Sequence, residues 1–121
     1  MPDITPEEFF EDEPVARQLF EALRAMIDAA GPSTVRVTKS QIAFARRRQF
    51  AWAWMPRKVL RGRGAPLVLT LSLPARDLSP RWKQVVEPYP GRFTHHLELF
   101  AESDLDEQVR EFIGRAWAAA A

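Results

Sequence analysis

The hydrophobic period changes twice along this chain, and that change restricts the fold more than any other feature of the sequence. Apolar residues recur at steps of three and four in residues 15–27 and 105–117, which predicts an amphipathic helix near each end. Between them the period is two, over residues 34–38, 41–45, 50–55, 67–73 and 93–99, which predicts five strands. Helices at both ends of a run of strands indicate an α+β fold.

Capping residues place the ends of the helices. Thr5 followed by Pro6 is typical of a first helix start, and Pro14 begins the long helix. Gly31 ends that helix. Ser103 or Asp104 is expected to cap the last helix.

Short connections join the first three strands. Lys39 with Ser40, and the segment Arg46–Arg48, are short enough for hairpin turns, whereas residues 61–64 predict a longer loop. Residues 74–91 contain four prolines and are expected to be irregular. We therefore expect residues 1–121 to form a single domain. It would be a two-layer sandwich, with a five-stranded antiparallel sheet and the N- and C-terminal helices packed on one face.

The period of two divides the strand side chains between two faces. Phe50, Trp52 and Trp54 are expected on the core face, together with Phe44 and the leucines of residues 67–73. The opposite face, called the outer face below, would then carry mostly small side chains: Arg36, Gln41, Ala43, Ala45, Ala51, Ala53, Met55, Val68, Thr70, Ser72, Thr94, His96 and Glu98. Either residues 74–91 cover this face, or it is open and binds another molecule.

Charge is strongly segregated although the net charge is only +1. Residues 1–33 hold two basic and eight acidic residues, residues 36–92 thirteen and two, and residues 93–121 two and six. The turn arginines Arg46, Arg47 and Arg48, with Arg81, are predicted to form a basic patch that attracts phosphates. The alternative is that these arginines pair with the acidic terminal helices. The strand aromatics are expected to point inward, and only loop aromatics such as Trp82 would be exposed.

Metal-binding and catalytic patterns are absent from the sequence. There is no cysteine, and the adjacent His95 and His96 point to opposite faces of a strand, so they cannot bind one metal together. We expect no metal, no cofactor and no catalytic residue, with His95 in the core. The alternative is an enzyme that uses His96 and Glu98 as a histidine–carboxylate pair, but no clear nucleophile faces them.

The N-terminus is acidic and lacks an apolar segment, so it does not resemble a signal peptide. No run approaches the roughly 18 apolar residues that a membrane-spanning helix needs. A cytoplasmic protein without membrane contact is the expectation.

Two motifs of the chain, V-T-K-S-Q-I-A-F-A-R-R-R-Q-F-A-W-A-W and V-E-P-Y-P-G-R-F-T-H-H, precede a C-terminal helix with an acidic cap. Together they resemble an uncharacterised bacterial family of domains of unknown function, from about Leu19 to Trp117. The layout is more loosely similar to the small YdhG-like and YjbR-like α+β domains. The resemblance implies no reaction, substrate or cofactor.

This resemblance does mark polar positions that we expect at one end of the outer face. As a hypothesis, they form an anion-binding site made of Lys39, Gln41, Arg92, Thr94 and His96. The alternative is that Lys39 and Arg92 only hold turns together.

The sequence therefore favours a binding module for an anionic small molecule or a protein partner over an enzyme. Binding would use the outer face and the arginine-rich loops. Non-specific nucleic-acid binding is the alternative, and the chain is expected to be a monomer or a homodimer.

Overall fold

The computed structural model describes residues 4–59 and 64–121 and has an α+β fold. Its elements in chain order are α1 (Pro6–Phe9), α2 (Pro14–Ala30), β1 (Thr34–Val37), β2 (Ile42–Ala45), β3 (Gln49–Trp54), α3 (Pro56–Val59), β4 (Leu67–Leu73), β5 (Gln84–Tyr89), β6 (Arg92–Leu99), a 3₁₀ turn (Glu102–Asp104) and α4 (Glu107–Ala119). The strands form one antiparallel sheet in the order β1-β2-β3-β4-β6-β5. Residues 61–63 of the predicted loop lie outside the described residues.

The sheet has six strands where the sequence predicted five. The additional strand is β5, which lies at the sheet edge and pairs with β6. Pro88 in β5 is tolerated there because an edge strand has one side without ladder hydrogen bonds. The irregular segment predicted for residues 74–91 was therefore wrong over its second half.

The predicted start of α2 at Pro14 is confirmed, but the predicted cap of α4 was wrong. Asp106 is the N-cap, and its Oδ1 accepts a hydrogen bond from the Val109 N–H at 3.1 Å. Ser103 and Asp104 belong instead to the 3₁₀ turn before it. Several acidic or hydroxyl residues precede this helix, and each can serve as a cap, so sequence alone did not choose among them.

A β-bulge in β3 sets which side chains face the core. Phe44 is opposite Ala51 and Ala45 is opposite Gln49, so Phe50 is an extra residue without its own partner on β2. Two residues of β3 thus oppose one of β2, and the alternation of faces is broken at that point. Phe50 and Ala51 are both buried.

The prediction for Trp52 and Trp54 was wrong because of this bulge. Ala51 and Ala53 are fully buried opposite core leucines of β4. Trp52 and Trp54, which alternate with them, lie on the outer face and are only half-buried. The small alanines leave room on the core face for the helices, while the indole rings project from the other side.

The rest of the core follows the predicted apolar stripes. Helices α2 and α4 pack against each other and against β4, and α4 also packs against β3. Val15 was wrongly assigned to the α2 stripe, since it is 56% exposed. The largest fully buried side chains come from the helices and the sheet: Phe9, Leu23, Ile27, Ile42, Phe44, Phe50, Leu67, Leu69, Leu71, Leu73, Leu99 and Ile113.

Residues 74–83 pack on the helical side of the sheet. Trp82, which the sequence placed in an exposed loop, is buried, with its ring centroid 4.6 Å from that of Phe112 in α4. Its Nε1 donates to Asp77 Oδ2 at 2.8 Å, which holds this segment in place. Because residues 84–89 extend the sheet edge instead of crossing the outer face, residues 74–91 do not cover that face.

Candidate functional site

One row of outer-face residues crosses all six strands. The register places these residues side by side: Arg36, Ala43, Trp52, Thr70, His96 and Gln84. Neighbouring strands are about 4.8 Å apart. The row therefore brings together side chains that lie far apart in the sequence, with Trp52, Thr70 and His96 at its centre.

Three side chains at the centre of the outer face are linked by hydrogen bonds. Trp54 Nε1 donates to Thr70 Oγ1 at 2.9 Å, and Thr70 Oγ1 lies 2.7 Å from His96 Nδ1. The hydroxyl accepts from Trp54, and its proton can be donated to Nδ1 of a neutral imidazole. The other ring nitrogen, Nε2, has no partner among the described residues.

His96 is held in its neutral form by its surroundings. Burial lowers the pKa of His96 below its ordinary value, and the neighbouring His95 lowers it further. The Trp54 ring meets the imidazole edge to face, with the centroids 6.1 Å apart. The neutral ring therefore presents the unpartnered Nε2 on the outer face.

These side chains border an open groove of about 350 Å³. Its lining combines two indole rings with hydroxyl, amide and imidazole groups: Ser40, Gln41, Trp52, Trp54, Thr70, Thr94 and His96. Trp52 Nε1 donates to Gln49 Oε1 at 3.3 Å, which fixes the orientation of that ring. Flat apolar surfaces beside a few polar groups are typical of a small-molecule site.

The structure divides the five residues of the predicted anion site. Gln41, Thr94 and His96 line the groove. Lys39 is exposed in the turn between β1 and β2, next to the groove but not in its lining. Arg92 lines a separate small cavity at the end of the sheet.

The structure separates Arg81 from the other three arginines of the predicted basic patch. The Arg46 guanidinium lies 3.5 Å from the centroid of the Trp117 ring, near the C-terminus of α4. Arg81 instead binds Asp106 at the N-terminus of α4, with a shortest N–O distance of 2.7 Å, and this contact lowers the pKa of Asp106. Because α4 has 13 residues and is therefore about 20 Å long, Arg46 and Arg81 lie near opposite ends of a long helix. Arg47 and Arg48 are exposed in the same turn as Arg46.

His95 has the structural role that the sequence predicted. It is fully buried, its Nε2 accepts from the Asp77 N–H at 2.9 Å, and its Nδ1 donates to the Phe93 carbonyl at 3.1 Å. Burial lowers the pKa of His95 despite these hydrogen bonds. Both ring nitrogens are thus used within the fold.

The alternative site of His96 with Glu98 lacks a direct contact between the two. Both residues line a pocket of about 150 Å³, but Glu98 Oε2 accepts from Lys83 Nζ at 3.1 Å. His96 is oriented through Thr70 instead. Among residues 4–59 and 64–121, no group of histidine or carboxylate side chains is arranged to hold a metal ion, and no helix is long and apolar enough to cross a membrane.

Sequence reasoning missed the two tryptophans and Thr70 as central members of the groove. The length of the turn Arg46–Arg48 could have indicated their positions, because three-residue hairpin turns are commonly followed by a β-bulge. A bulge in β3 would have reversed the predicted faces of Trp52 and Trp54.

Comparison with curated proteins and with solved structures gave no match. A family described as "Domain of unknown function (DUF5655)" matches residues 7–120. This range includes every element of the sheet and both long helices. The chain therefore belongs to the DUF5655 family of domains of unknown function.

Proposed function

We propose that this chain is a cytoplasmic binding module that holds a small, planar, anionic ligand in the groove on the outer face. The observation that supports it is the pair of half-exposed indole rings, Trp52 and Trp54, beside the unpartnered Nε2 of His96. Large aromatic side chains on an open face give a ligand apolar contact area, and the polar groups give it an orientation.

The shape of the groove favours a flat ligand. Two indole rings stand on neighbouring positions of one strand face, and Ala43 beside Trp52 adds little bulk. Aromatic rings interact best in offset-stacked or edge-to-face geometry, which a planar ligand can adopt with both tryptophans. The Nε2–H of His96 would then donate to an acceptor on the ligand edge.

The charges around the groove favour an anion. Arg36 on β1 and Lys39 in the next turn are exposed and have no partner among the described residues. Glu98, the carboxylate beside His96, is already paired with Lys83. A negative group at the β1 side of the groove would therefore meet unpaired positive charge.

The test is a titration with 2-naphthoate and with its neutral analogue 2-naphthamide. The indole N–H signals of Trp52 and Trp54 are followed by NMR, and affinities come from calorimetry. We expect both compounds to shift these signals, with naphthoate bound more tightly. Trp52→Ala should weaken binding about tenfold, as expected for loss of one stacking surface.

Tyr89→Ala is the matched control, since Tyr89 is 69% exposed but does not line the groove. Removal of the Tyr89 ring should leave the affinity for 2-naphthoate and 2-naphthamide unchanged. If neither compound shifts the indole signals, or if both variants weaken binding equally, the groove is not the binding site.

Single-stranded nucleic acid is a second candidate ligand, favoured by the outward orientation of the tryptophans. The half-buried rings offer stacking surfaces on the outer face. Arg47 and Arg48 are exposed, their guanidinium groups are unpaired among the described residues, and they add positive charge at the turn before β3. A gel-shift titration of an oligonucleotide at low and high salt tests it. Binding that weakens steeply with salt would support it, and no binding at low salt would exclude it.

A further inference from the structure

Strands β3 and β4 separate at one end of the sheet. Their last paired residues are Ala51 and Leu71, although β3 begins at Gln49 and β4 continues to Leu73. The bulge at Phe50 ends the ladder there. A cavity of about 40 Å³, called the notch below, lies between the separated strands and the last turn of α4.

Four polar residues line the notch. They are Arg48 in the turn before β3, Gln49 at the start of β3, Ser72 in β4 and Arg92 at the start of β6. Gln49 Oε1 is occupied by Trp52 Nε1, which leaves its NH₂ group free to donate. No carboxylate lines the notch.

The two guanidinium groups are unpaired within the described part of the chain. Neither Arg48 nor Arg92 has an ion pair or a side-chain hydrogen bond there. Like charges that share one cavity repel each other, and an anion between them converts this repulsion into attraction.

The end of α4 does not use these arginines. A helix C-terminus carries partial negative charge, which would otherwise compete with an anion. The Trp117 carbonyl already accepts from Arg46 Nη1 at 3.0 Å, and the Ala120 carbonyl accepts from the Arg47 N–H at 3.1 Å. Arg48 donates no hydrogen bond to these two carbonyls, so its guanidinium remains available to a ligand.

The size of the notch and its two arginines suit an oxyanion. One water-sized group needs about 10–15 Å³ of such space, so a notch of about 40 Å³ admits about three of the four oxygen atoms of a phosphate. Guanidinium groups on two different elements suit an anion whose oxygens point in several directions, as those of phosphate do.

We propose that the notch is a phosphate-binding site in which Arg48 and Arg92 hold the anion and Ser72 and Gln49 donate to its remaining oxygens. The site adjoins the groove, since Gln49 bonds to Trp52 and Ser72 pairs with Thr94. A phosphate ester whose ring lies in the groove would span both, and only this extension rests on the proposed function.

Inorganic phosphate is the probe for the notch alone, because it has no ring to enter the groove. It is titrated into the protein at constant ionic strength, and the Gln49 side-chain NH₂ and Ser72 amide signals are followed by NMR. We expect saturable shifts that chloride does not produce. Arg48→Ala and Arg92→Ala should each raise the Kd about tenfold or more, as for loss of a charge-assisted hydrogen bond.

Arg47→Ala is the matched control, because Arg47 is an exposed arginine of the same turn that does not line the notch. The Kd of the Arg47→Ala variant for inorganic phosphate should change less than about threefold, because this variant loses only a screened long-range attraction. Arg92→Lys covers the case in which Arg92→Ala fails to fold, and it should still weaken binding because lysine lacks the guanidinium fork. No saturable shift, or equal losses for Arg47 and Arg48, would overturn the proposal.

A second arm uses 2-naphthyl phosphate. Tighter binding than inorganic phosphate, with shifts of both the notch signals and the Trp52 indole, supports one ligand across both sites. If only the NMR signals of the notch shift, one ligand does not occupy both sites, but the proposal of a phosphate site in the notch still holds. If only the Trp52 indole signal shifts, the groove binds the ligand and the result contradicts a phosphate site in the notch.

Discussion

At the scale of single residues, Thr70 is the side chain on which the centre of the groove depends. It is 5% exposed, accepts from Trp54 Nε1 and contacts His96 Nδ1 at 2.7 Å. A hydroxyl is the smallest group that can both accept and donate. Thr70 therefore orients one indole ring and one imidazole ring at once.

Thr70→Val keeps the shape of the side chain and removes this hydroxyl. Trp54 Nε1 and His96 Nδ1 then lose their partner, so the free energy of unfolding should fall by about 1–3 kcal/mol. Urea denaturation measures the loss, and the NMR signal of the Trp54 indole N–H should move. Thr94→Val is the control, because the Thr94 hydroxyl donates at 3.3 Å in a more exposed position. Equal losses for both variants would contradict a special role for Thr70.

At the scale of elements, the junction after α2 is locked by the last helix. Trp117 of α4 donates from Nε1 to the Pro32 carbonyl at 3.0 Å, and the Arg46 guanidinium lies over its ring, 3.5 Å from the ring centroid. Gly31 at the end of α2 has φ +152° and lies directly against this ring. The end of α2, the turn before β3 and the last helix therefore meet at one tryptophan.

Gly31→Ala and Gly114→Ala should change stability in opposite directions. A Cβ at Gly31 would overlap the Trp117 ring in a backbone conformation that disfavours alanine, so we expect a loss of about 1–3 kcal/mol. Gly114 lies within α4 with nothing within 4 Å of an added Cβ. Alanine there should raise the free energy of unfolding by about 0.5–1 kcal/mol. Thermal denaturation of the two variants checks both signs, and a stabilised Gly31→Ala would refute the packing described for Trp117.

At the scale of the whole molecule, the histidines and Asp77 make the fold sensitive to acid. Burial lowers the pKa of His95 and of His96 from an ordinary 6.5. Burial opposes ionisation of Asp77, but hydrogen bonds from Trp82 and Arg115 outweigh it and lower its pKa below 3.8. Protons therefore bind the unfolded chain more readily than the folded chain at all three groups.

The free energy of unfolding should accordingly be fully retained above pH 6.5 and fall as the pH drops from 6.5 toward the folded pKa values of the histidines. A further loss should follow below about pH 4, where Asp77 of the unfolded chain takes up its proton. Urea titrations from pH 8 to pH 3.5 measure the profile. His95→Gln should flatten the first part, whatever its effect on stability at pH 8. If the free energy of unfolding of this variant falls with pH below 6.5 as steeply as that of the unsubstituted protein, His95 does not cause the loss of stability there.

The sequence by itself determined the α+β class, the two helical stripes, five of the six strands and the buried role of His95. These features depend on local periodicity and on the types of neighbouring residues, which are present in any short window. Strand β5 escaped this reasoning because an exposed edge strand with a proline has little apolar alternation to detect.

Only the tertiary structure decided which side chains form the candidate site. One extra residue at Phe50 turned Trp52 and Trp54 outward, because a shift of one position in a strand exchanges its two faces. The pairing of β3 with β4 ends next to the same bulge, and Arg48 and Arg92 line the notch at that end of the sheet. Sequence patterns report the types of side chains available, whereas pairing across strands, set by register, determines which of them meet.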